Sequence, residues 1–201
     1  MSSFVHRMSK GMFIWKLFIF IVISCNYAEG VYYKIKNIEC KANRSHFENI
    51  SCTLKPINWT RSILNMDGDI IGNLPNAFLL VETFYRDHTN LYKPFIFKFK
   101  YNICQLLDKR KPSNFLERYA LLHLKSLTNI NHSCPYSGHL FARNFHLDEL
   151  SLPPLPLQEY KIIFNFTLSN PSINLAIILL YFEAREDYHK RTRPARFKLF
   201  S

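Results

Sequence analysis

Glycine is scarce in this chain, five residues in 201, and no stretch is repetitive or of low complexity. That excludes a repeat array or a linker-rich chain and leaves one compact domain as the expectation. The signatures of common enzymes are also missing. There is no Gly-x-Ser-x-Gly, no Walker loop, no dinucleotide fingerprint and no His-Glu-x-x-His. No Cys-x-x-Cys and no Cys/His pair has ligand spacing, so neither a metal nor a cofactor is expected. The longest apolar run, Met12 to Ile23, is broken by Lys16. It falls short of the roughly 20 residues that a spanning helix needs. Acidic residues are few, 15 against 26 Lys and Arg, for a net charge of +11.

What precedes and follows that apolar run gives it meaning. Arg7 and Lys10 form a basic leader, and Ala28-Glu29-Gly30 offers small residues for cleavage. This is the three-part layout of a signal peptide over residues 1–30, and it implies a secreted, extracellular protein. Cys25 leaves with the leader, and Cys40, Cys52, Cys104 and Cys134 remain. An even number in an oxidising compartment implies two disulfides, with three pairings open. Five Asn-x-Ser/Thr triplets, at Asn43, Asn49, Asn58, Asn131 and Asn165, are candidate glycosylation sites. Secretion argues against nucleic acid as the target of the basic excess. An anionic lipid surface, an acidic glycan or a receptor face is expected instead. Much of that excess lies in a basic tail over 186–201.

Catalysis finds little support. In Asn131-His132-Ser133-Cys134 a histidine approaches a cysteine, but the even count makes Cys134 a disulfide partner rather than a nucleophile. Asp148 and Glu149 are adjacent, and on a strand they would face opposite ways. No catalytic residue is assigned.

The dominant pattern is alternation. Phe95, Phe97 and Phe99 fall on one side of a strand, with Lys98 and Lys100 on the other. Tyr160, Ile162, Phe164, Phe166 and Leu168 repeat it against Lys161, Asn165 and Thr167. Further strands are expected over 32–40, 52–59, 78–86, 139–147 and 175–182. One segment, Asn114 to Leu127, has helical spacing and a capping box formed by Asn114 and Glu117. The fold class is therefore mostly β: a β-sandwich spanning 31–185 with one helix between Cys104 and Cys134.

Eighteen phenylalanines and eleven tyrosines are a large aromatic content. They would either fill a core or line a cavity between two sheets. Lys36-Asn37-Ile38-Glu39-Cys40, Tyr92-Lys93-Pro94-Phe95, Asn102-Ile103-Cys104 and above all Asn129-Ile130-Asn131-His132-Ser133-Cys134-Pro135-Tyr136 carry a family resemblance by their order and spacing. Through them the chain resembles an insect family of secreted proteins of unknown function that includes chemosensory B-type proteins. That family is in turn similar to the ML lipid-recognition proteins. The resemblance implies an immunoglobulin-like (ML-like) sandwich holding a lipid between its sheets, and it implies the pairing of Cys104 with Cys134. Gln158 and Asn102 depart from the glycine and aspartate common at those places in the family. The expectation is a non-enzymatic carrier of a lipid or other hydrophobic small molecule. Its lining would be Phe95, Phe97, Phe99, Tyr160, Ile162, Phe164 and Phe166, with Lys93, Lys98 and Lys100 as rim or outer-face charges. The competing expectation is an interaction module with a filled core, whose basic face binds a receptor or an extracellular polyanion.

Overall fold

A computed structural model describes residues 31–108, 121, 126–130, 132, 134–147, 155–168 and 173–186. The expected signal peptide and basic tail, Asn131, and nearly all of the expected helix at 114–127 lie outside the described residues. Tyr32 to Arg185 forms one compact unit.

Its strands are β1 (Val31–Ala42), β2 (Phe47–Pro56), β3 (Ser62–Leu74), β4 (Ala77–Arg86), β5 (Tyr92–Asn102), β6 (Tyr136–Phe145), β7 (Glu159–Leu168) and β8 (Asn174–Glu186). One short helix, α1 (Ile103–Asp108), follows β5 directly. The strands form two antiparallel sheets of a β-sandwich-like domain. One has five strands in the order β1-β8-β7-β4-β5, and the other has three in the order β2-β3-β6. The apolar stretch at 175–182 lies within strand β8.

Strand β3, at the centre of the smaller sheet, has no counterpart among the strands expected from sequence. Asp67, Gly68 and Asp69 interrupt its apolar alternation, and all three residue types are poor strand formers. Register explains why they are tolerated. β3 is paired on both sides, Leu54 with Leu64 toward β2 and Gly68 with Leu140 toward β6. Gly68 is buried where a Cβ would stand 2.7 Å from Ile50 Cδ1. Strand β2 also begins earlier and ends sooner than expected, at Phe47 and Pro56, which leaves Trp59 in the turn before β3.

The disulfides are Cys40–Cys52 and Cys104–Cys134. Each joins the two sheets. Cys40 on β1 and Cys52 on β2 lie on edge strands of different sheets, so their bond is a staple across the sandwich rather than a hairpin rung. Cys104 follows the edge strand β5, and Cys134 precedes the edge strand β6. Around the second staple, Ile70, Leu106, Leu107, Leu121 and Tyr136 are buried together, with Tyr101, Leu74 and Leu140 packed against them. This cluster closes one end of the sandwich.

The other end is closed by aromatic packing. Tyr160 is 1% exposed. Its ring stacks on Phe182 at 5.2 Å and meets Phe95 edge-on at 5.5 Å, and Phe182 meets Tyr33 at 6.4 Å. The Tyr160 hydroxyl donates to Pro156 O at 2.9 Å and accepts from Gln158 Nε2 at 3.1 Å. Burial pushes this phenol upward in pKa.

Two stability predictions follow from these contacts. Opening Cys104–Cys134, which closes a 30-residue separation, is expected to cost about 3.5 kcal/mol by loop entropy, and opening Cys40–Cys52 about 3 kcal/mol. Urea unfolding of the paired Cys→Ala variants measures both. Tyr160→Ala is expected to cost about 3–5 kcal/mol and Tyr160→Phe about 1 kcal/mol. Equal losses for the two Tyr160 variants would contradict a packing role for the ring.

Candidate ligand-binding face

The face of the five-stranded sheet that meets the core cluster carries a continuous apolar surface, and strand register builds it. Phe99 on β5 stands opposite Val81 on β4, Val81 opposite Phe164 on β7, and Phe164 opposite Ile178 on β8. The next row runs Tyr101, Leu79, Phe166 and Ala176. Ile162 lies opposite Thr83 on one side and Leu180 on the other. Tyr101 on this face packs against the Ile70 and Tyr136 cluster, which identifies it as the inner face.

Six of the seven residues expected to line a ligand site, Phe95, Phe97, Phe99, Ile162, Phe164 and Phe166, lie together here, half-buried rather than sealed. Val81, Leu79 and Ile178 between them are likewise half-buried. Along β5 the rings form a ladder: Phe95 to Phe97 at 5.7 Å, Phe97 stacked on Phe99 at 6.1 Å, and Phe99 stacked on Tyr101 at 6.1 Å. The seventh residue, Tyr160, is in the packed end of the core.

Unequal sheet width gives this exposure a physical cause. Strands stand about 4.8 Å apart, so two extra strands add roughly 10 Å of inner face. A three-stranded partner cannot cover that width unaided. Both edges are nevertheless held by disulfides, so the sheets cannot slide to equalise the cover.

The opposite face of the larger sheet is polar at its rim. Lys98 Nζ is 2.8 Å from Glu82, and Lys100 lies over the Phe78 ring at 5.2 Å. Lys161 sits over both Phe84 and Tyr92, at 4.8 and 4.7 Å. Arg86 pairs with Glu159 at 2.6 Å. Lys93 is engaged at the β4–β5 turn, where its Nζ is 2.7 Å from Asp87. Lys98 and Lys100 therefore point away from the apolar face, as the alternation implies, and Lys93 braces a turn.

A second polar group was not legible in the sequence. On the smaller sheet, Arg143 holds Asp67 with both guanidinium nitrogens, and His139 Nδ1 is 2.7 Å from Asp69. Asn49 Nδ2 donates to Asp69 at 2.8 Å. The β3 and β6 partners are 70 or more positions apart in the chain and meet through the β3–β6 register, while Asn49 reaches Asp69 from β2, 20 positions away. Every one of them is engaged with a neighbour, so the group reads as a brace. Among the described residues no cluster of His, Cys, Asp and Glu could hold a metal ion.

Most of the segment from Asn129 to Tyr136 is described, and it too is structural. Asn129 Nδ2 donates to His139 O, and its Oδ1 accepts from Phe141 N, which fastens this segment to β6. The Tyr136 hydroxyl donates to His132 O, and the Cys134–Pro135 bond is cis. Of the glycan candidates, Asn43 donates to Asn174 O and Asn49 to Asp69, and Asn58 is exposed at the β2–β3 turn. Asn165 lies on β7, in the interior of the sheet, with its Oδ1 buried and without a hydrogen-bond partner.

The structure thus defines a class: a mostly β, two-sheet protein laced by two disulfides, with a half-covered aromatic inner face. Residues 79–162 match the model of a family described as protein of unknown function (DUF1091). The match runs from β4 through β5, the second disulfide and β6 into β7, so it contains the aromatic ladder. No curated protein matches the chain.

Asp87 ties the β4–β5 turn together, and its ionisation is readable in solution. Its Oδ1 accepts from Thr89 N and Leu91 N, and Lys93 with Thr89 holds its carboxyl well below the ordinary 3.8. Arg143 lowers Asp67, and Asn49 with His139 lowers Asp69. A carboxyl depressed in the folded state contributes stability above its unfolded pKa and loses it as pH falls through the folded value. Thermal melts are therefore expected to be flat from neutrality to about pH 4 and to fall below it. Asp87→Asn is expected to lower the melting temperature near neutrality and to shallow the acid decline. An identical acid limb in wild type and variant would contradict the assignment.

Proposed function

We propose that this chain is a secreted, non-enzymatic protein that shelters a lipid or another hydrophobic small molecule on the inner face of its larger sheet. The observation that carries this reading is the contrast within that one face. Tyr160, Leu180 and Phe182 are sealed at one end, while the rows through Phe99, Phe164 and Phe166 remain half-buried. A guest with an apolar tail laid along these rows would gain roughly 25 cal/mol for each Å² removed from water. Its mechanism is burial, with the β5 ladder as one wall and β7 as the floor.

Secretion is supported by the leader-like start of the sequence and by two disulfides. Among the described residues no helix is long and apolar enough to cross a membrane. The ML-like identity and the chemosensory setting come from the sequence resemblance, and the matched family carries no assigned activity.

A fluorescent fatty-acid analogue is expected to bind wild type saturably. Phe97→Ala is expected to weaken that binding about tenfold while the protein stays folded, as judged by circular dichroism. Phe164→Ala, from the facing row, is expected to act in the same direction. Absence of probe binding by wild type, or full binding by both variants, would overturn the proposal.

A further inference from the structure

One end of the domain carries an unusual set of side chains. Ile57 and Trp59 on the β2–β3 turn are 50% and 62% exposed, Leu91 at the β4–β5 turn is 63% exposed, and Leu157 before β7 is 52% exposed. Hydrogen bonds and register place all of them at the same end. Lys34 Nζ donates to Trp59 O at 2.8 Å, and the adjacent Tyr33 hydroxyl accepts from Leu155 N at 3.1 Å. Ala184 N donates to Gln158 O at 3.0 Å. Tyr85, beside the β4–β5 turn, lies opposite Tyr160 on β7.

We propose that this end is a docking surface for an anionic lipid bilayer. Three features select that occupant. The apolar groups are single side chains projecting from three separate loops. A bilayer interface accepts such points individually, whereas a protein partner needs a continuous complementary patch. The charge around them is cationic on the outside. Lys55 and Arg61 are exposed, Lys93 and Arg86 hold Asp87 and the part-exposed Glu159, and the Asp87 and Glu183 carboxylates are each only 5% exposed.

The third feature is that two of the loops pair many of their own backbone groups internally. Thr60 N and Arg61 N donate to Asn58 Oδ1, and Ile57 N and Asn58 N donate to Arg61 O. In the other turn, Asp87 N donates to Leu91 O while Asp87 Oδ1 accepts from Thr89 N and Leu91 N. Backbone groups already paired can approach lipid without the cost of unmet hydrogen bonds. An indole at such a tip suits the headgroup boundary, where one edge meets water and the ring meets acyl chain.

Docking and a glycan on Asn58 exclude each other, because the sugar would stand beside Trp59. Docking therefore requires a bare Asn58, an alternative to the glycan expected there from the sequence. The test uses the protein secreted from eukaryotic cells, from which removal of residues 1–30 takes Trp15 and leaves Trp59 as the sole indole of the two in the sequence. With phosphatidylcholine vesicles doped with phosphatidylserine, Trp59 emission is expected to shift to the blue and to be quenched by brominated acyl chains. Added salt is expected to weaken the association. Trp59→Ser with Leu157→Ser, two surface changes, is expected to lower vesicle affinity about tenfold with an unchanged melting curve. Phe97→Ala is expected to bind vesicles normally, which separates this surface from the apolar inner face. An unshifted Trp59 spectrum, equal affinity of the double variant, or a glycan mapped to Asn58 in the secreted protein would overturn the proposal.

Discussion

Two sheets of unequal width, fastened to each other along both sides, are the constraint from which the rest of this structure follows. Five strands face three. Cys40–Cys52 joins the edges on one side, and Cys104–Cys134 joins them on the other. A sandwich without those bonds could shift its smaller layer to cover whichever apolar rows it could reach. Here the layers are fixed, and the excess inner face has to be met by connecting segments or by a guest. The bonds also permit a sparse core, because part of the stabilisation comes from limiting the unfolded chain rather than from burying side chains.

Charge and apolarity are divided between the two faces of strand β5, whereas the outer face of the neighbouring strands also carries Leu80, Ile163, Ile177 and Leu179. On β5, Phe95, Phe97 and Phe99 point inward while Ile96, Lys98 and Lys100 are exposed on the outside. β5 is an edge strand, where unpaired backbone invites association with other chains. Its outward lysines suit that position, and they are anchored by Glu82 and by the Phe78 ring. Lys161 over Phe84 and Tyr92 extends the same arrangement across the sheet. One strand therefore both presents an aromatic wall and guards an edge.

How much of this was legible beforehand depended on distance along the chain. The alternation in β5 and β7 was readable because period two is a local property. It correctly grouped Phe95, Phe97 and Phe99 on one side of their strand and Phe164 and Phe166 on one side of theirs. It could not show that Tyr160 is sealed by Phe182 and Tyr33, since that depends on strands far apart in sequence. Strand β3 was missed because two aspartates and a glycine hide its pattern, and tertiary pairing overrides their low propensity. The brace of Asp67, Asp69, His139 and Arg143 was missed for the same reason, being created by β3–β6 register. The α1 helix spans only six residues, too few for a periodic signal. The Cys104–Cys134 pairing was reached through resemblance, and geometry now gives it a purpose as the second side-staple.

The central claim is that the inner face of the larger sheet accommodates a guest. Native mass spectrometry of the protein secreted from eukaryotic cells tests it most directly, because a sheltered ligand travels with the protein. The expected result is a discrete added mass, released on unfolding and extractable into organic solvent. A bare polypeptide at every preparation, with the Phe99, Phe164 and Phe166 rows protected from solvent by the chain's own segments, would contradict it.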